Sequence, residues 1–354
     1  MYKIDKILGQ NPFSFNYRKK TFLFNKYLNE LTKYHFKNSN LYSRILKSIG
    51  FNSKRDYNTN EIPFIPVRLF KEFDLLSVNK DKIIKTLNSS GTSGSKTSKI
   101  YLDKENSLNQ VKVLQKIMGS ILGKHRLPML IIDKNIKNIN RQNFNARIAA
   151  INGFSIFGKD HTFLLDNKGN IEYKILNNFL KKYKKEKFLV FGFTSFIYEN
   201  LIKKINKKLI TSDLHNAILL HGGGWKKLEN LKISNKIFKS KLQKKLSIKN
   251  IHNYYGLVEQ TGSIFIECKC GFFITSDFSD ILIRDKNFSL AKPHSRGIVQ
   301  LLSLLPTSYP GHNILTEDIG EIIDRTKCNC TLEGKRFLIH GRAEKAEIRG
   351  CSDV

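Results

Sequence analysis

No stretch of this sequence stays apolar for the ~18 residues that a membrane-spanning helix needs. The longest runs, such as "RLPMLIID" and "GIVQLLSLLP", fall well short. The N-terminal stretch "MYKIDKILGQNPFSFNYRKK" has neither the apolar core nor the small-residue cleavage site of a signal peptide, so a soluble, cytoplasmic protein is expected. Acidic residues are scarce: 30 Asp+Glu stand against 61 Lys+Arg, a formal net charge of +31. Such an excess suits nucleic acid or an anionic surface. The lysines are spread along the whole chain, and no helix-turn-helix, zinc-finger or RNA-recognition signature accompanies them. The surplus residues (Lys, Ile, Asn, Phe, Tyr) are those an AT-rich coding sequence supplies. The charge is therefore read as composition, and no nucleic-acid partner is expected. Internal repeats and low-complexity linkers are missing too. Cysteine is rare, five in 354 residues, and in such a protein is read as free, metal-bound or catalytic rather than disulfide-bonded.

What is present is a globular composition, 40% hydrophobic and 11% aromatic, on a chain long enough for one large domain or two ordinary ones. Residues 20–50 place Phe22, Tyr27, Leu28 and Leu31 at helical spacing and close on Gly50, which predicts one or two helices. Pro63 and Pro66 make "IPFIPVRLF" a rigid connector. Over 104–122 an apolar stripe of Val111, Leu114, Ile117, Met118, Ile121 and Leu122 predicts an amphipathic helix. Strand and helix signals then alternate through "MLIID", "NARIAAI", "HTFLLD", "FLVFGFTS", "FIYENLIKKI", "AILLHGGG" and "KIFKSKLQKKL". That alternation predicts an α/β fold with a largely parallel sheet. Beyond Tyr255 the pattern changes to short strands and turns, a smaller β-rich subdomain.

Three local patterns carry chemistry. "NSSGTSGSKTSK" (88–99) lies between two strand signals and lacks the spacing of a Walker loop, because only Thr92 and Ser93 separate Gly91 from Gly94 and Lys96 adjoins no glycine. Its hydroxyls and backbone N–H groups suit either a polyphosphate or a plain turn. Gly222, Gly223 and Gly224 end a strand and allow a flat base to approach the backbone. Cys268-Lys-Cys270 and Cys328-Asn-Cys330 together offer the four sulfurs that a closed structural Zn²⁺ site requires. Cys351 stands apart from both pairs.

Taken in order, "SSGTSGSKTSK", "HGGGWK" (221–226), "YGLVEQTGS" (255–263), "LTEDIG" (315–320) and "HGRAEKAEIRG" (340–350) resemble the signature motifs of the adenylate-forming acyl-activating superfamily. Within it, "PFIPVRLFK", "LLSLLPTSYPGHNILTEDIG" and "KAEIRGCSD" are most similar to the acyl-protein synthetases of the LuxE type, over roughly residues 60–354. The resemblance implies the large-domain fold of that superfamily, layered α/β sheets with a smaller β-rich subdomain and the C-terminal lobe largely absent. It implies a helical N-terminal segment over 1–60, a synthetase domain over 61–354 with the β-rich part at about 256–340, and an acyl-accepting tail at 347–354. It further implies ATP and Mg²⁺ as cofactors, a carboxylic acid, typically a fatty acid, as substrate, and an acyl reductase as partner.

By this similarity Ser89, Ser90, Gly91, Thr92, Ser93 and Gly94 with Lys96 would grip the phosphates. Gly222–Gly224, Tyr255 and Gly256 would take the adenine end. Glu259 would hold Mg²⁺, Asp318 would accept from the ribose hydroxyls, Arg342 would donate to ribose or phosphate, and Cys351 would receive the acyl group as a thioester. The sequence departs from the superfamily pattern at Val258, where Thr is usual, and at Glu347, near where a lysine is common. The sequence stops at Val354, where most superfamily members continue into a lobe with a catalytic lysine, so adenylation is expected either to use a lysine of the main body, for which Lys96 is the candidate, or to proceed without one. Two alternatives stand beside this reading: a ligase that delivers the acyl group to coenzyme A or a carrier, and a non-catalytic subunit of an acyl reductase complex.

Overall fold

The computed structural model describes residues 4–89, 96–135, 146–224 and 233–343. In chain order the first part holds helices α1 (Asp5–Leu8), α2 (Tyr17–Asn38) and α3 (Asn40–Ser48), strand β1 (Ile65–Pro66) and helix α4 (Leu69–Glu72). Strands β2 (Ile83–Asn88) and β3 (Lys99–Asp103) and helix α5 (Lys104–Leu122) follow. The middle alternates: β4 (Leu127–Lys134), α6 (Ala146–Ser155), β5 (Gly158–Leu165), α7 (Tyr173–Lys182), β6 (Phe188–Phe193), α8 (Thr194–Ile197), β7 (Ala217–Gly222), α9 (Asn235–Leu246) and β8 (Asn250–Tyr255). The last part is strands: β9 (Phe265–Glu267), β10 (Phe273–Ile274), β11 (Ser279–Arg284), β12 (Gly297–Ser303), β13 (Asn313–Ile323) and β14 (Arg336–Arg342). No helix among the described residues is long and apolar enough to cross a membrane.

Two compact units emerge. One comprises 4–89, 96–121 and 256–343 among the described residues, the other 122–135, 146–224 and 233–255. The second unit is a parallel sheet in the order β8-β7-β6-β4-β5. Its central strands β6 and β7 are buried at every residue, as strands covered on both faces must be. Leu130, Val190 and Leu219 pack on one face with Leu176, Phe179, Phe238 and Leu242 of α7 and α9. On the other face Phe154 of α6 meets Phe191 at a ring separation of 4.9 Å. The order runs outward in both directions from β4 and β6, so the strand order reverses there, and the carboxyl ends of such strands are where open α/β sheets bind ligands.

The first unit is antiparallel, in the order β11-β12-β13-β14-β10-β9, with β1 laid parallel along β13. The proline-flanked connector thus becomes a strand, Ile65 opposite Ile314 and Pro66 opposite Leu315. Helix α2 starts at Asn16, whose side chain accepts from the Lys19 N–H. It is tied to the strands by Lys20, whose buried Nζ donates to Thr275 Oγ1, the Ser276 carbonyl and the Ser279 carbonyl at 2.7–2.8 Å. Helix α5 buries Val113, Ile117, Met118 and Leu122, while Val111 of the predicted stripe is 41% exposed. The motif "LTEDIG" lies wholly inside the eleven-residue strand β13.

Candidate active site

In the first unit the motif residues Glu259, Asp318 and Arg342 converge. Glu259 sits in a one-turn 3₁₀ segment, Val258–Gln260, that the surroundings hold rigidly. Tyr309 Oη donates to the Glu259 carbonyl at 3.0 Å, and the Gln260 amide donates to the carbonyls of Leu301 and Gly311 at 3.1 and 2.8 Å. Asp318 and Arg342 face each other across β13 and β14, with Arg342 Nε 3.7 Å from Asp318 Oδ1 and Nη1 3.2 Å from Glu317 Oε2. Solvated turn acids would be exposed, but Glu259 and Asp318 are 3% and 8% exposed. Burial pushes the Glu259 carboxyl above the usual range; Ser98 and Arg342 pull it back in part, and the Asp318 charge pushes it further up. A buried carboxylate beside a second carboxylate is a group that a cation would stabilise, and this donor set fits Mg²⁺.

The serine-rich loop closes the β2–β3 hairpin. Its base is pinned by Ser89, whose N–H donates to the Ser98 carbonyl at 3.0 Å and whose hydroxyl accepts from the Ser98 N–H at 2.8 Å. Ser90, Gly91, Thr92, Ser93 and Gly94 lie outside the described residues, as does Cys351. Lys96 is exposed and pairs with Glu72 Oε2 at 3.0 Å. An exposed pair of this kind contributes little and leaves the ammonium free to serve an anion.

In the second unit the glycines end β7. A Cβ on Gly222 would lie 2.4 Å from the Tyr254 ring, and Gly223 takes φ +76°, so a side chain is excluded at the first and strained at the second. Thr194 fixes this turn by donating to the Gly222 carbonyl at 3.1 Å. Its oxygen must then accept from His221 Nδ1–H at 2.9 Å, which leaves His221 neutral with Nε2 unpartnered among the described residues. Burial, with Lys239 and His252 adding to it, drives the His221 imidazole down to about 3. Tyr255 ends β8, and Gly256 begins the return of the chain to the first unit. Ser98 lies in the serine-rich motif without standing out there, and Thr194 and Tyr254 gave no signal in the sequence, since each matters only through what the fold brings beside it.

The cysteine pairs meet. Cys268 and Cys328 are buried, their sulfurs 3.7 Å apart, and Cys328 Sγ is 3.3 Å from Cys330 Sγ. Cys270 Sγ donates to Asn329 Oδ1 at 3.0 Å.

Comparison with known proteins comes to a consistent result. The family model for "Acyl-protein synthetase, LuxE" matches residues 2–354. No curated protein matches the sequence. Among solved structures, an open conformation of 2-hydroxyisobutyryl-CoA ligase in complex with 2-HIB-AMP and CoA superimposes with a TM-score of 0.70 at 11% identity, over 95% of this chain and 77% of that one. The same ligase in its postadenylation state with 2-HIB-AMP gives 0.66 at 12%, over 92% and 68%. The fold is therefore that of an adenylate-forming ligase.

Proposed function

The chain belongs to the LuxE acyl-protein synthetase family, and from that premise we propose that it activates a carboxylic acid with ATP and takes the acyl group onto its own Cys351. A carboxylate oxygen of the acid attacks the α-phosphorus; the new O–P bond forms as the α–β bridging P–O bond breaks, and pyrophosphate leaves. The Cys351 thiolate then attacks the acyl carbonyl, the C–S bond forms, the C–O bond to phosphate breaks, and AMP departs. A fatty acid is the proposed substrate and an acyl reductase the proposed recipient of the thioester.

The observation that carries this reading is the burial of Glu259 and Asp318 beside Arg342 at the positions the motifs assign them. Glu259 would hold Mg²⁺, which when bound neutralises charge on the phosphate oxygens. Asp318 would accept from the ribose hydroxyls, and Arg342, with its Nε 3.7 Å from Asp318 Oδ1, would donate to ribose or phosphate. The glycine turn, with the Tyr254 ring against it, would receive the adenine, while Ser89–Gly94 and Lys96 would hold the departing pyrophosphate by backbone N–H groups and charge.

The test is acid-dependent exchange of labelled pyrophosphate into ATP across a panel of carboxylic acids, on wild type and Glu259→Gln. Exchange that requires one class of acid and falls ~10²-fold or more in the variant is expected. A purified, folded protein with no exchange for any acid would instead be a non-catalytic subunit.

A further inference from the structure

Cys268 and Cys270 flank a turn after β9, and Cys328 and Cys330 lie sixty residues on, in the loop before β14. The fold places Cys268, Cys328 and Cys330 so that their sulfurs all lie within 4.8 Å of one another. Cys270 Sγ is held at the same cluster by Asn329, the residue between Cys328 and Cys330, at 3.0 Å. Tetrahedral Zn²⁺ with Zn–S bonds of ~2.3 Å sets its sulfurs ~3.8 Å apart. The observed 3.7 and 3.3 Å approach that edge length and greatly exceed the ~2 Å of a disulfide.

A second observation points the same way. Arg336 is 1% exposed and heads the largest fully buried side chains. Its guanidinium donates to the carbonyls of Cys330, Leu332 and Gly334 and to Cys330 Sγ, the last at 3.2 Å, while Nε has no partner among the described residues. No carboxylate among the described residues pairs with it. A buried guanidinium without an anion is costly, and the Cys328 and Cys330 sulfurs beside it are able to become anionic.

We propose that Cys268, Cys270, Cys328 and Cys330 hold a structural Zn²⁺ and that Arg336 is the counter-charge of this tetrathiolate. Four thiolates and one Zn²⁺ leave a net charge of −2 in a largely buried site; Arg336 offsets one unit and orients Cys330. The turn that presents the first pair is ready-made: Gly271 takes φ +88° and donates to the Cys268 carbonyl at 2.9 Å, and the Cys268 N–H donates to the Phe272 carbonyl at 2.8 Å. Cys270 reaches the ion by turning its thiol away from Asn329. The ion would fasten the loop before β14, and with it the strand that carries Arg342, to the β9–β10 turn. Nothing in this depends on the ligase reading, so a chain without exchange activity would still hold zinc.

The test is elemental analysis of the full-length protein purified without chelator, with thiol counting by native alkylation and intact mass. About one zinc per chain, no visible iron–thiolate absorption, and a single rapidly alkylated cysteine of the five are expected. Cys328→Ser should lose the metal. Arg336→Met should weaken its retention against a competing chelator by ~10–100-fold, with Arg336→Lys between the two. The wild-type measurement decides even if a variant does not fold. Wild type with less than about a tenth of a zinc after zinc-supplemented growth, with all thiols freely alkylated, would overturn the proposal, as would a mass 2 Da lighter from a disulfide, or iron in place of zinc.

Discussion

At the scale of single residues the site is built on costs. Glu259 is the clearest case: its carboxyl is pushed up by burial, so ionising it at neutral pH works against folding. For an acid whose folded pKa is raised, the stabilising contribution is present below the unfolded value and lost as pH rises through the folded one. Glu259→Gln should therefore abolish exchange yet raise Tm by ~2–4 °C without ATP, measured by scanning calorimetry; an unchanged or lower Tm would contradict the account. In wild type, exchange should fall on acidification at a pH above the ordinary glutamate range, as the carboxylate is lost. Thr194→Val removes the donor to the Gly222 carbonyl, so the KM for ATP should rise several-fold with kcat nearly unchanged. A drop in kcat alone would place Thr194 elsewhere in the reaction. Motif order made Glu259, Asp318 and Arg342 legible in the sequence. Thr194 and Arg336 were not legible, because the first acts through His221 and Gly222, 27 and 28 residues on, and the second through burial that no local pattern encodes.

At the scale of elements the N-terminal helices are part of the strand-rich unit. Lys20 reaches into it with a fully hydrogen-bonded ammonium 3.7 Å from Asp280. Lys20→Met would remove one donor each from Thr275 Oγ1 and the Ser276 and Ser279 carbonyls, and would leave Lys335, at 2.9 Å, as the ammonium paired with Asp280. The expected loss is ~3 kcal/mol, read as a fall in Tm of ~5–10 °C; a change under 1 °C would mean the helix is held by its apolar face alone. Further along α2, His35 stacks on His312 at 4.9 Å, the pair hydrogen-bonded to Ser77, the Pro306 carbonyl and Thr32. Burial drives His35 down to about 3 and His312 well below its ordinary value. A base with a depressed folded pKa lends stability above its unfolded value, near 6.5, and loses it as pH falls further. The urea midpoint should therefore drop steeply from pH 7 to pH 5, and a flat profile would contradict the neutral pair. Periodicity exposed the parallel sheet, since β4, β6 and β7 are near-continuous apolar runs. It did not distinguish Val111 from Val113 on α5, because a stripe one residue wider fits the same period.

At the scale of the whole molecule the charge of +31 and the family place different demands on the surface. If the lysines reflect composition, DNA binding should be non-specific and vanish between about 50 and 300 mM salt, as counterion release requires. Saturable, salt-resistant affinity for one sequence would give the charge a function of its own. The fold class and the order of the motifs were written plainly enough to name the family; the meeting of two cysteine pairs sixty residues apart was visible only as a count of four sulfurs. The central claim is a covalent one, and intact-protein mass spectrometry tests it most directly. The protein is incubated with ATP, Mg²⁺ and a panel of carboxylic acids, and wild type is compared with Cys351→Ala. A hydroxylamine-labile adduct with the mass of one acyl group, on wild type and absent from the variant, is the predicted result. An equal adduct on Cys351→Ala, or no adduct but AMP released once coenzyme A is supplied, would contradict it.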